Sequence, residues 1–243
     1  MGRLGNLLFQ VAAVETYCRK NGFTPKYFHT DVTPKYEYSI LSRVKWEKHC
    51  RYELKEVSHP YFEYVPLPIV NQNTRFTPPT YLQSEKYFDE SIARELYAIP
   101  RGLVSYITRR YPDIHDRISL HVRRGDYVRQ PNYHPTCPLE YYRKAAELFP
   151  NQKFLVFSDD HDWCRKNLTG IDWMFGVGYT DDEELYMMSL CKGHIIANST
   201  FSWWGAYLNP EKDKLVVAPN TWFGPSYNNI NTKDLIPESW IKV

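Results

Sequence analysis

The run Ile118-Ser119-Leu120-His121-Val122-Arg123-Arg124-Gly125-Asp126 decides how this chain is read. Ile118, Leu120 and Val122 alternate with polar residues, the period of a β-strand, and two guanidiniums and a carboxylate follow where the alternation stops. Period-two geometry puts His121 and Arg123 on one face and Val122 on the other, with Arg124 at the exit. Adjacent guanidiniums suit a pyrophosphate, because each can grip oxygens bidentately and neither loses its charge. A solvated pair, or an ion pair with Asp126, accounts for the same residues at this level.

Downstream, strand patterns recur at 154–157, 173–177, 194–197 and 215–218, with helical patterns at 139–148, 162–168, 183–191 and 202–208 between them. Thr180-Asp181-Asp182-Glu183 has the form of a capping box and marks one helix start. Strands separated by single helices imply right-handed crossovers and a mostly parallel sheet covered on both faces, a Rossmann-like layer over residues 115–243. Upstream, Leu7, Val11, Val14 and Cys18 recur at helical spacing until Gly22. Residues 58–80, with Pro60, Pro66, Pro68, Pro78 and Pro79, read as an irregular loop region. Pro112 and a polar turn set an expected boundary, giving lobes 1–114 and 115–243.

Ligands of open parallel sheets bind outside the carboxyl ends of the strands, where helix N-termini point. Arg123, Arg124 and Asp126 follow the first of these strands, and Ser158, Asp159 and Asp160 follow the second. Asn198, Ser199, Thr200, Phe201 and Ser202 follow the fourth, and residues 220–223 the fifth, so four exits are expected on one polar rim. The segment 198–202 offers hydroxyls, an amide and backbone N–H groups to a phosphate, and would equally serve as a plain helix cap. Ser158, Asp159 and Asp160 can bond a nucleotide or stabilise a helix dipole. No Asp-x-Asp motif stands near them, so no metal site is expected. Gly2-Arg3-Leu4-Gly5-Asn6 permits close backbone approach at a helix start, or is a simple turn.

Composition bounds the rest. With 43% hydrophobic and 24% charged residues the chain is globular, and its 20 tyrosines suit both sugar stacking and ordinary packing. A net charge of +2 supplies no broad field for nucleic acid. Cys18, Cys50, Cys137, Cys164 and Cys191 are scattered and odd in number, which suggests free thiols and a reducing compartment. No stretch approaches the about 20 apolar residues of a membrane span, so a soluble or cytoplasmic chain is expected. The sequons at Asn167 and Asn198 are taken as chance matches.

Taken together, several motifs resemble the alpha-1,2-fucosyltransferases of glycosyltransferase family 11. They are Gly2 to Asn6 with Phe9-Gln10, Gln83-Ser84-Glu85-Lys86-Tyr87-Phe88, His121 to Tyr127, and Tyr141-Tyr142. Further along come Phe157-Ser158-Asp159-Asp160 with Trp163-Cys164, Met188-Ser189-Leu190-Cys191, and Asn198-Ser199-Thr200-Phe201-Ser202-Trp203-Trp204-Gly205-Ala206. The resemblance implies inverting transfer of L-fucose from GDP-fucose to a sugar hydroxyl, usually O2 of a terminal galactose, without metal or cofactor. It also implies an α/β, GT-B-like fold of two Rossmann-like lobes, with a parallel sheet in the C-terminal donor-binding lobe.

On that resemblance Arg123 and Arg124 hold the donor pyrophosphate and His121 contacts the phosphate or nucleoside. Glu184 faces guanine N1 and N2, and Gly5, Asn6, Ser158, Asp159, Asp160 and Asn198 to Ser202 complete the donor site. Asp126 is either the base for the acceptor hydroxyl or a brace for an arginine; a leaving phosphate that takes the proton itself needs neither. Family members carry an apolar strand before the glycine motif, for which there is no room after Met1. A reduced N-terminal lobe, or a domain of a longer polypeptide, is therefore expected. Another GDP-sugar or linkage, and a catalytically silent carbohydrate-binding module, remain open as alternatives.

Overall fold

Helix α1 (Leu4–Asn21) forms where Leu4, Leu7, Leu8, Val11 and Cys18, all buried, fall on one face at offsets of three, four and seven residues. Gly22 ends it at φ 69° and ψ 26°, a left-handed conformation that costs glycine nothing, and its N–H returns to Cys18 O. Gly5 therefore lies inside the first turn, not in a turn ahead of it. The computed structural model describes residues 3–51, 53–70, 73–77 and 81–243. Gly2, Pro78 and Pro79 lie outside the described residues.

The chain divides into two compact units, 1–98 with 230–237, and 99–229 with 238–243. In the first, β1 (Tyr27–Phe28) pairs with β2 (Trp46–Glu47) and β3 (Lys55–Ser58) with β4 (Thr74–Thr77), both in parallel, while α2 (Glu90–Leu96) packs on α1. Among the described residues the strands of this unit form two separate two-stranded pieces. β4 corrects the reading of 58–80 as wholly irregular. The β3 residues Lys55, Glu56 and Ser58 are exposed, so no buried apolar face writes a period into the sequence.

The second unit holds α3 (Arg101–Arg110), β5 (Ile118–Val122), α4 (Leu139–Glu147), β6 (Lys153–Ser158), α5 (His161–Asn167) and β7 (Asp172–Phe175). It continues with α6 (Asp181–Ser189), β8 (Gly193–Ile195), α7 (Thr200–Tyr207), β9 (Val216–Ala218) and β10 (Ile241–Lys242). The six strands form one all-parallel sheet in the order β10-β9-β8-β5-β6-β7. All five β5 residues are buried, as a strand covered on both faces requires. On one face Ile118, Leu120, Val122, Phe154 and Val156 join Tyr141, Tyr142 and Ala145 of α4 and Cys164 of α5 in a single apolar cluster.

The other face carries a neutral polar core. Asn209 Nδ2 donates to Cys191 O (2.6 Å) and His194 Nε2 (2.8 Å), which leaves His194 Nδ1 to donate to Ser119 Oγ at 2.7 Å. Burial pushes the His194 pKa down to about 3, in keeping with this neutral tautomer. At α6 the expected cap forms: Thr180 Oγ1 accepts from Glu183 N (3.3 Å), and Glu183 Oε2 accepts from Tyr179 N (3.0 Å), one residue before the cap. All five cysteines are free and only Cys50 is exposed. Among the described residues no helix is long and apolar enough to cross a membrane.

Candidate functional site

The chain leaves β5 through β6 and β7 toward one edge, then returns at β8 on the opposite side of β5 and runs through β9 to β10. Such a reversal is the topological switch point outside which open parallel sheets hold their ligands. The run that opened the sequence reading therefore ends at the favoured place in the second unit.

Arg123 and Arg124 diverge from that point and are held by three carboxylates. Arg123 pairs with Asp126 through Nη2 and with Asp159 through Nη1 (2.5 Å), and its guanidinium lies 5.2 Å from the centre of the Tyr127 ring. Arg124 Nε donates to Asp160 Oδ2 (2.9 Å), its backbone N–H to Asp159 Oδ1 (2.8 Å), and its guanidinium stacks 4.5 Å over Trp163. Gly125 makes the arrangement possible, because a Cβ there would collide with the Asp159 carboxylate. Asp160 also caps α5 by accepting from Trp163 N at 3.0 Å; that bond, with Arg124 beside it, holds its carboxyl below the usual range. Ser158 Oγ accepts from Asp160 N (2.9 Å) and stiffens the turn.

At the neighbouring β8 exit the polar groups are neutral. Asn198 is buried, and its Nδ2 donates to both Pro135 O (2.8 Å) and Trp222 O (3.0 Å) while its Oδ1 accepts from Cys137 Sγ (3.5 Å). Its side chain is thus engaged in tying two loops together. Ser199 precedes α7 without a side-chain cap bond, and Ser202 Oγ turns inward to Ser199 O at 3.2 Å. Thr200 and Phe201 form the first turn, and the Phe201 ring lies 5.7 Å from that of His121. His121 is fully buried and neutral, its pKa pushed down to about 4 by desolvation; its Nδ1 has no hydrogen-bond partner among the described residues.

Glu184 sits in the first turn of α6 and accepts from Gly178 N at 3.3 Å. Burial, with Asp181 and Glu183 adding repulsion, raises its pKa to about 7. Gly5 and Asn6 belong to the first unit, where Asn6 Oδ1 accepts from Gln83 Nε2 at 2.8 Å. Sequence reasoning missed two members of the rim. Tyr127 was quoted only as part of a motif, and His134, stacked on it at 5.0 Å, drew no attention as a single histidine in a polar loop. The only signal was its place after the arginine run, in a stretch dense in Tyr and Pro.

A six-stranded parallel sheet with polar groups gathered at its switch point, in a chain of mixed helices and strands, gives a GT-B-like α/β fold. Among solved structures the chain is similar to the fucosyltransferase NodZ from Bradyrhizobium, with a TM-score of 0.50 and 14% identity over 87% of this chain and 93% of that one. At that identity the likeness speaks to the fold. The model of glycosyl transferase family 11 matches residues 40–243, and the chain belongs to that family.

Two relatives from Escherichia coli, the O-antigen biosynthesis glycosyltransferase WbnK and an alpha-1,2-colitosyltransferase, are 39% and 40% identical over 51% and 52% of this chain. The matches cover 44% and 47% of those proteins, so the chain spans less than half their length. The mouse galactoside 2-alpha-L-fucosyltransferase Sec1 is 27% identical over 85% of this chain and 62% of its own.

Proposed function

We propose that this chain transfers L-fucose from GDP-fucose to O2 of a galactose-terminated glycan, with inversion and without metal or cofactor. The observation that carries the reading is the pair of guanidiniums at the switch point, in a chain whose family relatives are named for alpha-1,2 transfer. Negative charge grows on the departing diphosphate in an oxocarbenium-like transition state, and preorganised guanidiniums stabilise it; one such donor is worth on the order of 3 kcal/mol. The first turn of α7, which has no side-chain cap from Ser199, adds backbone N–H groups aimed at an anion. His121 offers its uncommitted nitrogen from the same side of the strand, and Glu184 accepts the guanine N1 and N2 protons. Asp126 braces Arg123 in this scheme and removes no proton.

A second donor is favoured by one observation: the 40%-identical relative is an alpha-1,2-colitosyltransferase. Mass spectrometry of products separates the readings when GDP-fucose and GDP-colitose are each offered with galactose-, xylose- and rhamnose-terminated acceptors. The expected result is a single fucosyl addition to the galactose-terminated acceptor. Glycan binding with no transfer from any GDP-sugar and no thermal stabilisation by GDP would instead mark a silent binding module.

A further inference from the structure

His134 lies in the loop between β5 and α4, inside a cage of rings. It stacks on Tyr127 (5.0 Å, 19° between planes), and Phe223 and Tyr227 wall it at 5.7 and 5.8 Å. The loop that carries it is tethered several times over. Tyr133 N and His134 N donate to Gln130 O (3.0 and 2.9 Å), Gly224 N to Tyr133 O (3.0 Å), and Ser226 N to Asn132 O (2.8 Å). The buried Asn198 amide then fastens Pro135 and Trp222, one on each of the two loops. Gly224 lets the loops approach, since a Cβ there would strike the carbonyls of Pro131 and Asn132.

A structural histidine such as His194 has both ring nitrogens bonded. His134 is held by ring contacts and by its tethered loop, yet among the described residues nothing hydrogen-bonds to either of its ring nitrogens. Its ring is only half-buried, and aromatic walls at the rim suit the C–H faces of a pyranose. We propose that the acceptor sugar docks on the solvent-facing side of this ring cluster and that His134 takes the proton of the attacking hydroxyl. The proposal rests on the transferase reading above and supplies the base that reading lacks.

In the step, a lone pair of the acceptor oxygen forms the bond to fucose C1. The C1–O bond to the diphosphate breaks with its electrons going to the phosphate oxygen, and the hydroxyl proton passes to a His134 ring nitrogen, then to solvent. The groups facing His134 are Asp126 and Arg123 from the β5 exit, the Tyr127 and Tyr227 phenols, and the Phe223 ring. Burial holds the imidazole below its ordinary value, so it is neutral and able to accept a proton at pH 7; Asp126 favours the imidazolium that forms.

The test compares wild type with His134→Gln and His134→Ala, using GDP-fucose and a galactose-terminated acceptor from pH 5 to 9, with GDP-induced melting shifts in parallel. The expected result is a fall in kcat of roughly 100-fold or more, loss of the acidic limb of the pH–rate profile, partial recovery of His134→Ala by added imidazole, and an unchanged GDP melting shift. A wild-type pH profile with kcat within about 5-fold in His134→Gln overturns the base assignment while leaving the transferase reading intact. So does a loss that tracks an equal loss of the GDP shift, which is the mark of a structural role. A wild-type protein that transfers from no GDP-sugar overturns both.

Discussion

The exits of β5 and β8 lie side by side in the sheet and are built on opposite terms. At β5 the polar groups are ions, two guanidiniums among three carboxylates, partly open to solvent. At β8 they are neutral and buried, with one amide tying two loops and the neutral His121 imidazole packed against Phe201. The difference separates two tasks. Charge that must meet a charged ligand stays near water, where exchanging one partner for another costs little, whereas shape is fixed by neutral bonds that neither salt nor pH disturbs.

The largest test of this contrast is Arg123→Ala. It should leave Asp126 and Asp159 without their shared cation and lower transfer on the order of 100-fold or more, with loss of the GDP melting shift. Wild-type kcat/KM in that variant would end the donor assignment at the β5 exit.

Next comes Asn198→Ala, which removes no charge but leaves two carbonyls and a thiol unbonded. Denaturant unfolding should report a loss of about 2 to 3 kcal/mol, with faster hydrogen exchange at both loops. An unchanged midpoint would show that the neutral exit holds nothing.

The smallest effect concerns pH. On the proposed reading the pH dependence of donor affinity falls to Glu184, whose pKa of about 7 exceeds the usual carboxylate value. If Glu184 accepts hydrogen bonds from guanine N1–H and N2–H as proposed, the carboxylate is the binding form; affinity for GDP-fucose should therefore weaken roughly tenfold from pH 8 to pH 6, and Glu184→Gln should flatten the curve. The sign for stability is opposite. A raised carboxylate penalises the fold increasingly as pH climbs from about 4.5 to 7, so Glu184→Gln should unfold later than wild type at pH 8. Titration calorimetry and melting curves at the two pH values check both.

Much of the second unit was legible because its inner strands β5, β8 and β9 are buried on both faces and its helices α5 and α6 are capped by Asp160 and Thr180. Ile118 to Val122 and the start of α6 at Thr180 follow local rules, as does the end of α1 at Gly22 in the first unit. The two-residue strands β1, β2 and β10 carry no period to read, and β3 and β4 bury no alternating face. Helices α2 and α3 were passed over as well. At the rim, the residues Asp159 and Asp160 were visible but their partners were not, since a carboxylate beside a helix reads the same whether it faces a nucleotide or an arginine from another strand. Asn198 looked like a phosphate ligand for the same reason: Pro135 and Trp222 are distant in sequence, and only the fold brings them to its amide.

The carboxylates around Arg123 and Arg124 also bear on selectivity in time. A rim whose cations are already matched by anions projects little field beyond contact range, so it does not gather stray phosphate, sulfate or polyanions by long-range attraction. On the proposed reading, an arriving diphosphate takes over guanidinium bonds held by Asp126, Asp159 or Asp160. A visitor lacking a base and a sugar to hold it while that exchange proceeds leaves before the exchange is complete, and the site rejects it by residence time.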